Sequence, residues 1–345
     1  MFIEGKDKMI SLNKKARKLI LIAIPLIALI ILATMLIGKH NNNAQVVGSN
    51  DDMIPKQQVN VYLSSQDNTL VPLTVKYNSK ETVGENMLTV LNLIKQNSPI
   101  CNQTFFGLIP ENTNINKLTL NDDKLLTIDF DETFLEYDEK HEVALLQSIT
   151  WTMTEFEEVV AVSLTLNDEP LLKMPKKLTP VATKLTRDMG INNSLLTSTI
   201  DYLDSTRILS YYNKSIDGVN YVIPVSQYVK NEDNLSVYDL TITKLFERPN
   251  ITSRLTVIES LKDLKLESSS SLDDNILTVS LNEKALFDEQ SVQLDVYKMI
   301  RASLDSYQEV KDVSFVVNDE TLPVNGIQED QTFLVSSIVY NQYYI

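Results

Sequence analysis

At 345 residues, with 43% hydrophobic and 22% charged side chains, the chain has room for two or three globular domains and enough apolar material for a core in each. One cysteine, Cys101, excludes a disulfide framework and multi-thiolate metal sites, and two distant histidines, His40 and His141, leave little room for a His-based metal cluster or a Ser-His-Asp relay. The net charge of −15 divides into +5 over residues 1–40 and −20 over the rest, and an acidic body that repels phosphate backbones argues against nucleic acid as a partner.

The first predicted element is a membrane anchor. Leu19 to Ile37 is an uncharged run broken only by Pro25 and Thr34, and as a helix it spans roughly 28 Å, near the thickness of a bilayer core. Lys14, Lys15, Arg17 and Lys18 precede it, which puts the tail 1–18 in the cytosol and the bulk of the chain outside a cell membrane crossed once. A cleaved signal peptide would have a shorter apolar run and a small-x-small site, and Met35-Leu36-Ile37 offers none. No cysteine near the run allows lipoprotein processing. Residues 38–57, with Asn41, Asn42, Asn43, Gly48 and Pro55, read as a flexible tether.

The body follows in two copies. Val59–Leu63, a turn at Gln66–Thr69 and Leu70–Leu73 predict a hairpin, and Pro72 places its second strand at a sheet edge. A helix is expected over Val83–Ile94. Asp122-Asp123 mark a turn before the alternating strand Leu126, Ile128, Phe130. Val143, Leu146, Ile149, Met153 and Phe156 share one helical face, and Val162, Leu164, Leu166 form a strand ending at the tight turn Asn167-Asp168. The second copy offers the hairpin Leu209–Tyr212 and Val222–Val225 with Pro224, a helix over Val237–Phe246, and the turn Asp273-Asp274. Then come the strand Leu277, Val279, Leu281, the helix face Leu294, Tyr297, Ile300, Leu304, Tyr307, and the strand Val313, Phe315, Val317 before Asn318-Asp319. Residues 125–171 and 276–322 align without a gap at an offset of 151, with 13 of 47 positions identical, which is the mark of a duplication. Each unit reads as a ββαβ(β)αβ sandwich of class α+β, with helices on one face of a mixed sheet. The units are expected at 58–175 and 206–328, joined by a linker at 176–205 and followed by a tail at 329–345.

The Val71-Pro72-Leu73 and Ile223-Pro224-Val225 strands carry a family resemblance. So do the segment Leu126–Leu135, the amphipathic helix leading to Val159, Val162 and Asn167, and the linker Thr186–Asn193. Over about residues 58–330 the chain resembles the GerMN-domain family of sporulation and germination proteins. The resemblance implies a non-enzymatic part in spore formation, no cofactor, a fold similar to the ring-building modules of secretion-type channels, and other envelope or sporulation proteins as partners, with self-association as a further option.

Few residues stand out as sites. Asp129, Asp131 and Glu132 form the densest carboxylate group, with the chemistry of a hard-cation site or an acid/base pair. The second copy has Ser280, Asn282 and Glu283 there, so a solvated strand edge is the expected reading. Cys101 lacks a nearby base, and His141 is expected at a solvated helix start. Trp151 falls opposite the apolar helix face, where the second copy has Ala302. It either lies under the linker or, with the three carboxylates, belongs to a candidate interaction surface. No catalytic or metal residue is assigned. A peptidoglycan- or ligand-binding envelope protein is the competing function, and an envelope hydrolase is the weakest.

Overall fold

The computed structural model describes residues 56–193, 205–249, 254–327, 338 and 340–343. The expected membrane helix at Leu19–Ile37 and the tether up to residue 55 lie outside the described residues. Among the described residues no helix is long and apolar enough to cross a membrane.

Alternation of buried and outward residues builds the first hairpin. Strand β1 (Lys56–Ser65) pairs antiparallel with β2 (Leu70–Asn78), with Tyr62 opposite Pro72. Proline cannot donate to a ladder, so β2 is outermost in the sheet, and the two-residue strand β3 (Phe105–Phe106) pairs the far side of β1. Helix α1 (Val83–Leu93) follows, started by a capping box. Thr82 Oγ1 accepts from Glu85 N–H at 3.2 Å, and the Glu85 carboxylate accepts from Thr82 N–H at 3.1 Å.

A second sheet holds β4 (Ile115–Leu120), β5 (Leu125–Phe130), β6 (Ala161–Leu166) and β7 (Glu169–Pro170) in that order, with β5 and β6 parallel. The parallel pair needs a crossover, supplied by helix α2 (Glu142–Met153). Asn167 and Asp168, at φ 48° and 68°, make the left-handed turn between β6 and β7.

The second copy repeats this plan. Strands β8 (Ser205–Ile216), β9 (Val219–Lys230) and β10 (Leu255–Thr256) form a sheet ordered β10-β8-β9, with Tyr211 opposite Pro224. Helix α3 (Val237–Phe246) starts on Ser236, whose hydroxyl accepts from Asp239 N–H at 3.0 Å. Strands β11 (Ser271–Asp273) and β12 (Ile276–Ser280) come next, then the hairpin β13 (Leu286–Asp288) and β14 (Ser291–Val292). Helix α4 (Leu294–Ser303), β15 (Asp312–Val317) and β16 (Glu320–Leu322) complete the copy. The parallel registers match at the 151-residue offset. Leu126 pairs Val162 and Leu277 pairs Val313, while Ile128 pairs Leu164 and Val279 pairs Phe315.

Four expectations need correction. Each copy carries a separate three-stranded and four-stranded sheet, and the second adds the two-stranded β13-β14, because β1 and β8 end their ladders at short strands before the four-stranded sheet begins. Helix α2 is buried nearly all round instead of on one face. Its Ser148 Oγ donates to Tyr62 O at 2.6 Å and its Thr152 Oγ1 accepts from Tyr62 N–H at 3.1 Å, so its polar side covers the edge of β1. Val143 is 48% exposed in the first turn, while Leu145 takes a buried place. His141 is buried, with its ring edge-on to Phe106 at 5.5 Å.

Candidate interaction site at the domain junction

The sequence-predicted carboxylates are each engaged locally. Asp129 ends β5 on the outward side, as the alternation requires, but the β6–β7 turn covers it. Its carboxylate accepts from Thr165 Oγ1 at 2.5 Å, Asp168 N–H at 2.8 Å and Asn116 Nδ2 at 3.0 Å. Burial pushes its carboxyl up, and these donors more than offset that, so the group lies below the usual carboxylate range. Asp131 accepts from Asn114 N–H at 3.1 Å, from Asn114 Nδ2 at 2.8 Å and from the Thr133 hydroxyl. Glu132 accepts from Asn167 Nδ2 at 2.8 Å, and Glu283 repeats this bond with Asn318 at 3.0 Å. The preserved bond makes Glu132 a brace for the turn. Among the described residues no three His, Cys, Asp or Glu side chains form a metal-holding group. Cys101 Sγ accepts from Gly107 N–H at 3.1 Å, and burial pushes its thiol up, away from the reactive thiolate.

Trp151 does not belong to a free surface. It is 1% exposed, and its Nε1–H donates to Gly190 O at 3.1 Å. The Arg187 guanidinium lies over its ring at 4.8 Å, and the Tyr62 ring is 5.6 Å away. The stretch expected as a linker therefore packs on the first copy, with Val181, Leu185 and Ile191 buried. Glu142, at the start of α2, braces the same stretch by accepting from Lys177 N–H at 2.9 Å and Thr179 N–H at 3.0 Å.

Sequence reasoning missed the residues that fasten the copies together. Arg187 pairs with buried Glu155 at 2.7 Å and reaches Asp305 of the second copy at 3.5 Å. Glu155 also accepts from Asn60 Nδ2 at 2.9 Å and from Tyr62 OH at 3.1 Å. Burial pushes the Glu155 carboxyl up, against the pull of Arg187.

Two asparagines bridge the proline strands β2 and β9, which approach one another. Asn192 exchanges bonds with the N–H and C=O of Leu70, at 2.9 and 2.8 Å, and donates to Pro224 O at 2.9 Å. Asn341 exchanges bonds with the N–H and C=O of Val222, both at 2.8 Å, and donates to Pro72 O at 2.7 Å. Leu70 and Val222 each stand two residues before the proline, so swapping the copies maps one set of bonds onto the other. The signal available in the sequence was the 149-residue spacing of Asn192 and Asn341, close to the spacing of the repeat.

Residues 60–172 match a family model described as Germane: Sporulation and spore germination. The first copy is similar to the domains of that family. The chain is 28% identical over 281 residues to spore germination protein GerM of Bacillus subtilis (strain 168), a match covering 80% of this chain and 75% of that protein. A solved structure described as the tandem GerMN domains of the sporulation protein GerM from Bacillus subtilis superimposes with a TM-score of 0.70 at 24% identity. It covers 84% of this chain and 99% of the other, so the tandem fold is shared. The resemblance read from the sequence holds: the first copy matches the family model for sporulation and spore germination, and the chain is similar to the spore germination protein GerM.

Proposed function

We propose that this chain is a non-enzymatic assembly component of the sporulating or germinating cell envelope, held in the membrane by Leu19–Ile37 with its tandem GerMN-like domains outside. The observation that supports a structural role is the buried junction around Trp151, Arg187, Asn192 and Asn341. It welds two catalytically bare domains into one body able to present fixed surfaces to neighbouring envelope proteins. The carboxylates Asp129 and Glu132 hold the β6–β7 turn.

Deletion of the gene in a spore-forming host tests the reading. Heat-resistant spore yield is expected to fall, and to be restored by the full chain but by neither a chain without residues 206–345 nor one without Leu19–Ile37. Wild-type spore yield and germination in the deletion strain would refute it. Protease added to protoplasts should digest the body and spare residues 1–18, and protection of the body would overturn the orientation.

A further inference from the structure

A cavity of about 420 Å³ opens where the linker meets both copies, within the size range of small-molecule sites, roughly 300–1,000 Å³. Its lining is divided. Val160, 55% exposed, and Leu209 supply an apolar part. Lys184, Arg187 and Arg207 supply three cations against the carboxylates Asp188 and Asp305, inside a body whose net charge is −20. Arg187 is spent on Glu155 and Asp305. Arg207 donates to Arg187 O at 3.4 Å, and its ion pair among the described residues is with Asp188, whose side chain is well exposed and so adds little stability to the pair, leaving the guanidinium able to take another carboxylate. Lys184 is exposed and makes no ion pair among the described residues.

We propose that this cavity binds a short peptide end: a free carboxylate held by Arg207 and Lys184, with a small apolar side chain against Val160 and Leu209. A planar carboxylate suits the guanidinium fork. A single negative charge is repelled least by the acidic body, whereas a phosphate dianion meets Asp188 and Asp305 and leaves the apolar part unused. Gln308 and Thr186, also in the lining, can serve the peptide group behind the carboxylate. The inference goes beyond the assembly role and stands or falls independently of it.

The test uses the full chain in detergent, titrated with N-acetyl-alanyl-alanine and followed by tryptophan emission, since the lone Trp151 borders the cavity. A saturable change is expected. The C-terminal amide of the same peptide should bind at least about tenfold more weakly, as a lost charge-assisted contact implies. Inorganic phosphate should not compete. Lys184→Gln, at an exposed position, should leave melting unchanged and weaken binding, and Arg207→Gln should weaken it by about tenfold. Any one of four results overturns the proposal: no saturable response up to about 10 mM, a range that covers weak sites; equal binding of acid and amide; tighter binding of phosphate; or unchanged affinity in a folded Lys184→Gln chain.

Discussion

Replacing Trp151 by alanine tests the junction most directly. The ring is fully buried, so the cavity left behind costs about 3–5 kcal/mol. The stacked Arg187 loses its aromatic partner, worth about 1 kcal/mol, and the buried Gly190 carbonyl loses its donor, another roughly 1 kcal/mol. These contributions overlap, which puts the expected loss at about 4–6 kcal/mol. Trp151→Phe keeps most of the volume and drops the N–H, so it should cost about 1–2 kcal/mol. Urea unfolding followed by far-UV circular dichroism measures both, because the alanine variant has no tryptophan to report. The loosened linker should also become a protease target near Arg187. A loss below about 1 kcal/mol for the alanine variant, within the range of surface substitutions, would refute a structural junction and return Trp151 to the surface.

Asp129→Asn removes charge from a carboxylate that accepts three hydrogen bonds at the β6–β7 turn, and should destabilise by about 1–3 kcal/mol in thermal melts. Glu132→Gln should be nearly silent. Acid should weaken the fold through Glu142 and Asp67, both held at about 2. At each, burial raises the pKa and is outweighed by hydrogen bonds, from Thr179 and Tyr137 at Glu142 and from Lys214, Ser65 and Thr69 at Asp67. Groups depressed in the folded state stabilise it above their unfolded values, near 4 to 4.5, and that contribution disappears as pH falls towards 2. The melting temperature should therefore drop across that window, and Glu142→Gln should flatten part of the drop. Asn192→Ala and Asn341→Ala should each cost about 2–3 kcal/mol, since each leaves several backbone groups of β2 and β9 without partners. Calorimetry of the double variant should show a loss smaller than the sum, because either substitution lets the strands part.

Local chemistry made much of this fold legible. Alternating Leu126, Ile128 and Phe130 marked a strand, and Asn167-Asp168 marked a turn that needs positive φ at both residues. The registers at offset 151 follow from the same alternation. The junction was harder to read because its signals are not periodic. A helix buried nearly all round, like α2, packs its polar side as well as its apolar one, so Trp151 looked outward when the linker was already above it. Asp129 lay on the outer face as expected, yet the turn from β7 covered it, a contact between segments 39 residues apart. Arg187 and Glu155 looked like ordinary surface charges, since nothing local records that pairing 32 residues apart will take Glu155 out of water and leave Arg187 half-buried.

The exchange-symmetric bonds of Asn192 and Asn341 carry a historical meaning. An interface that maps onto itself when two equivalent units are swapped is the isologous kind formed by homodimers. The ancestor of this chain is then best pictured as a single-domain protein whose proline strand met its own copy, before gene fusion made the pairing permanent. Within one chain the second unit is always at high local concentration, so the interface does not depend on protein abundance. It also used up those two strand edges within one molecule. Any higher-order array of such chains must grow from other borders, such as β4, β11 or β16, where the two copies have since been free to diverge.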